Sequence, residues 1–594
     1  MLVKPHICKH VGKKMPSSTP DGTSRTARPF LRRVADAGAL TLMIATIPAQ
    51  AKPAAPDLIL FHGHIFTAES TDRFVEALAI RGDRIVAAGS DAAVQRLADA
   101  RTRRIDLGGR TVVPGLDDAH VHLEFEPEGQ VSLALRSADP NWEELRSAVR
   151  DAIPTLPAGT MLTGVIGTTA FHDTGIDRAA LDALSMDRPI RLSTWDGHGA
   201  ILNSAALKML GITENIGEQM GGGFERDQHG RLTGVVREYA LFGTVAGRLA
   251  AITTDADAKA AFRHTLERAS QYGLTSIQDM PLSGTVERTA RLLATMPTPI
   301  RVRITRLNNS TQQGPDYLTA ARFPARPNPL ITVSGTKWAL DGVIFEGSMT
   351  PRGTKPRNTA PGSPYSFAGL PPLFSSSIVD GMLRDALRNR YQLQVHVVGT
   401  RAATQMLDAM ERSGGAAAWR QRRTRFEHGD GLTPDLIARA KKLGIVVSQQ
   451  GSHLDLVGID PSLGQGFLDD LRAQRAQPLR SLLAAGIPLA LGSDGPLNPW
   501  QNIVGVTTHP DRPDEAISRE QAVSAYTAGS AYAEFEEERK GTLTPGNLAD
   551  LAVLSQDVFS VETEALPQTR SVLTLVGGRA VYDAGVLEGA KALR

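Results

Sequence analysis

The 594 residues suffice for three or more domains of roughly 100–200 residues, or for one large barrel with an appended module. Hydrophobic residues at 41% and charged residues at 22% are ordinary globular usage and exclude wholesale disorder. With 65 basic against 63 acidic residues and 5% aromatics, neither a whole-protein field for nucleic acid or anionic lipid nor a base-stacking platform is present, so the expected partner is a small-molecule substrate. No nucleic acid is expected, and a homo-oligomer stays open.

Residues 1–31 are polar and basic; Arg32 and Arg33 then precede a weakly apolar run from Ala35 to Ile47, and the small residues of Pro48-Ala-Gln-Ala51 follow. This order predicts an export signal cleaved near Ala51, and its arginine pair resembles a twin-arginine leader. The run is shorter than the roughly 20 residues a bilayer span needs. A periplasmic or secreted protein without a permanent membrane anchor is therefore expected. Cys8 is the only cysteine, which excludes intrachain disulfides, cysteine-held metals and a cysteine nucleophile in the body of the chain.

From Asp57 the runs LILFHGHIFTA, VEALAIRGDRIVAAG and RRIDLGGRTVVPG read as short strands, and GTLTPGNLADLAVLS and SVLTLVGGRAVYD repeat that texture near the C-terminus. Residues 57–114 plus 541–594 are thus expected to form one β-sandwich. Between them RVRITRL, TKWALDGV, QLQVHVV, RRTRFEHG, GIVVSQQ and IPLALGSD alternate with amphipathic helical stretches, which predicts a (β/α)8 TIM-type barrel over 115–540. The fold class is α/β. Two insertions are expected: 125–190, largely helical in pattern, and 350–377, a Pro, Gly and Ser-rich loop or lid. Gly221-Gly-Gly223 lacks the Gly-Lys-Ser/Thr of a phosphate loop and reads as a hairpin.

In TVVPGLDDAHVH an apolar strand leads through a turn to His120 and His122, which period-two geometry places on one face, as a metal pair requires. His62 and His64 have the same spacing, with no ligand candidate apparent nearby in the sequence, and read as structural. His396, His428 and Asp494 each close an apolar run followed by glycine, where barrels carry their chemistry.

This pattern, with TWDGHGAILNSAAL, GRLTGVVREYA, GLTSIQDM, HVVGTRAATQ, PLRSLLAAGIPLALGSD and GTLTPGNLADLAVL, resembles the amidohydrolase superfamily over residues 57–594, most closely its amidohydrolase 3 group, which is YtcJ-like and includes N-substituted formamide deformylases. The resemblance implies one or two divalent ions, zinc, with two favoured. His120, His122 and Asp494 would hold the first, His396 and His428 the second, and Lys337, carboxylated and in Lys-x-x-x-Asp-Gly spacing to Asp341, would bridge them. It further implies water activated by metal as nucleophile and Asp494 as the catalytic proton carrier. His198 and His453 match positions that line the substrate pocket, Trp195 and Asp196 adjoin them, and Glu238 would orient a polar group of the substrate. Thr400 and Gly429-Asp430 depart from the group and point to altered substrate contacts. The implied function is hydrolysis of carbon–nitrogen bonds in non-peptide amides, N-substituted formamides or cyclic amides. Ester or lactone hydrolysis at the same site, and an exported binding protein without turnover, are the alternatives.

Overall fold

Eight parallel strands follow one another in chain order around a single sheet: β1 (Leu116–Val121), β2 (Leu274–Asp279), β3 (Arg301–Leu307), β4 (Ile331–Ala339), β5 (Leu393–Val397), β6 (Arg425–His428), β7 (Val446–Gln450) and β8 (Leu489–Gly492). The computed structural model describes residues 54–589 apart from 72, 126, 128, 138, 158, 317–325, 348, 351, 354–362 and 460–463. The export-signal reading of 1–51 and the middle of the loop expected at 350–377 lie outside the described residues. Among the described residues no helix is long and apolar enough to cross a membrane.

The sheet curls until its last strand meets its first. Past the end of β8, Asp494 N–H donates to the His120 carbonyl at 2.9 Å, and Ser493 N–H donates to Asp118 Oδ1 at 2.8 Å. Alternation sorts the strand side chains. Ile277, Val302, Ile304, Val395, Phe426 and Val447 join the main apolar core. The residues between them, Gln278, Arg303, Thr305, Gln394, Arg425 and Ser448, are polar and equally buried. Buried polar groups persist only when paired, and here they pair with one another. Gln394 donates to Thr305 at 3.1 Å, Arg303 to Gln392 at 2.6 Å, and Arg425 to both Gln278 and the Ala119 carbonyl.

Over 125–190 helices predominate, as the sequence pattern predicts, but Val131–Ser132 and Leu162–Ile166 belong to a six-stranded sheet that runs on to Glu238, in the spatial order Gly222–Arg226, Leu232–Glu238, Gly199–Leu202, Ile190–Thr194, Leu162–Ile166, Val131–Ser132. The helix Trp142–Ala152 and the short helices Thr168–His172 and Arg178–Asp182 are real. They supply the helical periodicity, while the strands are too short to impose a period of their own. Gly222–Arg226 and Leu232–Glu238 pair antiparallel, but this hairpin turns at Asp227–Arg231, so Gly222 and Gly223 begin its first strand rather than form its turn.

Besides a two-stranded ribbon at Ser310–Thr311 and Gly314–Pro315, two further sheets draw on segments before the barrel and after it. One is four-stranded, from Leu58–Phe61, Ala77–Arg81, Arg84–Gly89 and Arg103–Asp106. In the other, Leu551–Leu554 pairs antiparallel with Thr111–Pro114. The run TVVP therefore belongs to this sheet, and the strand carrying His120 is the next one, β1.

Gly492 sits where β8 crosses β1; a Cβ there would lie 2.5 Å from the His120 backbone nitrogen. Gly492→Ala should destabilise the protein by about 1–3 kcal/mol, the usual cost of overpacking, read as a lowered denaturant midpoint. An unchanged midpoint would contradict so close a seam.

Candidate metal centre

β1 carries His120 near its end and His122 just beyond it, with ring centroids 5.2 Å apart. His120 is fully buried, and its Nδ1 lies 2.9 Å from Glu427 Oε2. A ring that gives its Nδ1 proton to a carboxylate keeps a lone pair on Nε2, the form that binds cations. That Nε2 faces Lys337 Nζ at 2.8 Å and Asp494 Oδ1 at 3.6 Å. His122 repeats the arrangement: Nδ1 donates to the Met280 carbonyl at 2.6 Å and Nε2 faces the same Asp494 oxygen at 3.2 Å. His428 Nε2 lies 3.7 Å from the other oxygen, Oδ2, and is buried with no hydrogen-bond partner.

Backbone strain helps to assemble this set. His428 and Asp494 have φ of +73° and +40°, values that side-chain-bearing residues adopt rarely and mostly at functional sites. On an extended strand Glu427 and His428 would point to opposite faces. The left-handed turn at His428 lets both serve His120, whose ring centroid lies 5.4 Å from that of His428.

The electrostatics favour a cation. Burial pushes the His120 imidazole down to about 4 and holds His396 and His428 well below the ordinary range, so the rings are neutral at pH 7. Burial alone would raise Asp494, but attraction to the protonated forms of His120, His122 and His428 outweighs it and sets the carboxyl well below the usual carboxylate range, so it is already ionised where the rings have become neutral. Burial likewise lowers Lys337. Glu427 is buried too, yet Arg425, with Nε 2.9 Å from Oε1, and His120 hold it ionised. Neutral imidazoles around an ionised carboxylate form a donor set for zinc or a similar divalent ion. The partnerless His428 nitrogen is one such donor.

Ligand atoms of His120, His122 and Asp494 lie within 4.8 Å of one another, as do those of His428, His453 and Asp494. The second group sets His453, its ring stacked 5.8 Å from His428, beside the expected pairing of His396 with His428. His396 stays adjacent, with ring centroids 4.4 Å from His428, but its Nε2 faces the Gly342 carbonyl at 3.3 Å and Asp341 at 3.7 Å. Nδ1 is the nitrogen left for a ligand. Lys337 lies on β4. Asp341 of its Lys-x-x-x-Asp-Gly spacing accepts from Val398 and Gly399 N–H groups and so pins the end of β5.

The insertion sheet supplies Trp195 and His198 from the turn between Ile190–Thr194 and Gly199–Leu202. Asp196 shapes that turn by accepting from Thr194 Oγ1 at 2.6 Å and His198 N–H at 3.0 Å. Trp195 and His198 line the site cavity of about 750 Å³. Glu238 is a correction to the pocket reading: it is fully buried and acts behind His198, with Oε2 2.8 Å from Nδ1. Of the two departures from the group, Asp430 lines a small cavity beside His396 and His428, while Thr400 Oγ1 donates to the Gly431 carbonyl.

The residues missed in the sequence are Glu427, Arg425 and Asp118. Asp118 Oδ1 accepts from both His120 N–H at 3.1 Å and Ser493 N–H at 2.8 Å and so staples the seam under the site. A signal existed for the first two, because Arg, Glu and His occupy positions 425, 427 and 428 of one short buried strand. His62 and His64 are not bare of carboxylates, as their sequence surroundings suggested. His62 contacts Asp106 at 3.1 Å and Asp91 at 3.6 Å, whereas His64 stacks on Phe74 at 4.4 Å. The two rings serve different partners.

Comparison with known proteins identifies the family. The amidohydrolase family profile matches residues 103–582. The chain is 29% identical over 566 residues to the protein LONG AFTER FAR-RED 3 of Arabidopsis thaliana, covering 89% of this chain and 91% of that one. It is 24% identical over 584 residues to an N-substituted formamide deformylase of Arthrobacter pascens, covering 89% and 98%. A crystal structure of an uncharacterized metal-dependent hydrolase from Pyrococcus furiosus shares the fold, with a TM-score of 0.60, 22% identity, and coverage of 85% of this chain and all of that one. The chain belongs to the amidohydrolase family and is a hydrolase acting on carbon–nitrogen bonds.

Proposed function

We propose that this enzyme hydrolyses a non-peptide amide, an N-substituted formamide or a cyclic amide, using two zinc ions. His120, His122 and Asp494 would hold one; His428 would hold the other, with His396 through Nδ1 or His453 completing its shell. Lys337, carboxylated on Nζ, would bridge them, a reaction that needs the neutral amine its burial favours. Bound there, the ions lower the pKa of water and polarise a carbonyl. One observation carries the reading: His120 and His122 both have Nδ1 tied to a fixed acceptor and both present Nε2 to a single oxygen of Asp494, at 3.6 and 3.2 Å.

The chain's own groups have separable tasks. Asp494, whose carboxyl lies well below the usual carboxylate range, takes a proton from the attacking water and returns it to the departing nitrogen. Glu427, itself fixed by Arg425, keeps the proton of His120 on Nδ1. Trp195 and His198 cover the substrate side of the cavity, and Glu238 fixes the ring of His198. The leader-like residues 1–51 support a periplasmic or secreted enzyme.

Asp494→Asn should lower kcat by about 10²–10⁴ on an amide substrate while the denaturant midpoint is kept; turnover near wild type would reject the proton role. Lys337→Ala should lose bound zinc by elemental analysis and regain it when formate or acetate is supplied, and full metal content without rescue would remove the bridge. Glu427→Gln should weaken zinc affinity by about 10–100-fold in competition with a chelating indicator. Unaltered affinity would show that His120 keeps its tautomer without Glu427.

A further inference from the structure

A second cavity of about 620 Å³ opens against the site cavity, and the two share Trp195, Phe242 and Leu282 in their walls. Val165 of the insertion sheet and Leu241, Val245 and Leu249 form apolar surface within it, interspersed with hydroxyls such as those of Thr163 and Ser193; its charged lining is Glu124 and Arg191, whose guanidinium donates to Gln130 Oε1 at 3.4 Å. Part of that surface is a π-helix, Ala240–Val245, entered from the left-handed Glu238 at φ +52°. Such wide turns are rare and recur at functional sites. Here the turn carries Phe242, which faces both cavities and packs edge-on against His198 with centroids 5.3 Å apart.

A further space, against His396 and His428, is small. A cavity of about 40 Å³, walled by Phe345, Phe367, Val398 and Leu456, admits a group of a few heavy atoms. The room around the reacting centre is therefore lopsided, and a substrate that fits it has unequal ends.

We propose that the second cavity seats an elongated, uncharged, mainly apolar substituent of the substrate, an alkyl or arylalkyl chain, while the small cavity accepts a compact group across the scissile bond. The inference rests on the hydrolytic reading above and adds the substrate's shape to it. The chain can hang from the nitrogen or from the acyl carbon; both place the same apolar surface in the same cavity.

Two homologous series given to the zinc-loaded protein separate these sources: N-alkylformamides and primary fatty amides, each from ethyl to dodecyl. In one series kcat/KM should rise about three- to fourfold per methylene, the worth of roughly 0.8 kcal/mol per buried CH₂, until the cavity is filled. Val165→Trp, introduced at a position 56% exposed on the insertion sheet, should end that rise at a shorter chain. Calorimetric titration of the same amides into zinc-loaded Asp494→Asn reads binding without turnover. Affinity that climbs with chain length while wild type turns over no member would overturn the hydrolytic reading and leave the cavity assignment standing. Turnover or binding independent of chain length in both series, or a rise that Val165→Trp leaves untouched, would overturn the assignment.

Discussion

The hydrogen bond from Asp494 N–H to the His120 carbonyl, 2.9 Å long, is the contact on which the rest of the structure turns. It brings the strand that ends the barrel against the strand that begins it, and it does so between two of the site's own residues. Closure and site assembly are one event. Asp118 reinforces the same seam from below by accepting from both strands, and Gly492 lets the backbones approach. An error of an ångström at this seam would move the carboxylate that His120, His122 and His428 all face.

Below the seam the barrel interior is polar where the helix-facing surface is apolar. Arg425, Gln278 and Arg303 form a hydrogen-bonded column that ends on Glu427 and His120. At its foot Lys540 joins Asp117 and Glu534. Buried ion pairs contribute little net stability, because desolvation offsets their attraction. Their effect here is geometric: each member is satisfied only in one arrangement, and that arrangement aims His120 Nε2 at the mouth. The site's strained backbone at His428 and Asp494 is tolerated because this scaffold holds it.

Much of the barrel was legible in the sequence. Apolar runs that turn polar at their last residues marked β3 to β8, and the resemblance to the amidohydrolase superfamily singled out His120, His122, Lys337, His396, His428 and Asp494. The insertion sheet was not legible, since strands such as Gly199–Leu202 are too short to show a period beside an amphipathic helix. Glu427 escaped because alternation sends it away from His428, and only a positive φ reunites them. His453 follows β7 in a short 3₁₀ turn, and its approach to His428 depends on how that turn packs, which residue order does not encode. Glu238 looked like a pocket residue because a buried carboxylate behind a histidine and an exposed one in a cleft have the same letters around them.

The most direct test is anomalous diffraction at the zinc edge from crystals of the zinc-loaded protein. The account predicts one peak within bonding distance of His120 Nε2, His122 Nε2 and Asp494, and a second beside His428, with extra density on Lys337 Nζ between them. A zinc-loaded crystal with no peak among these side chains, or with its zinc bound elsewhere on the chain, would contradict it.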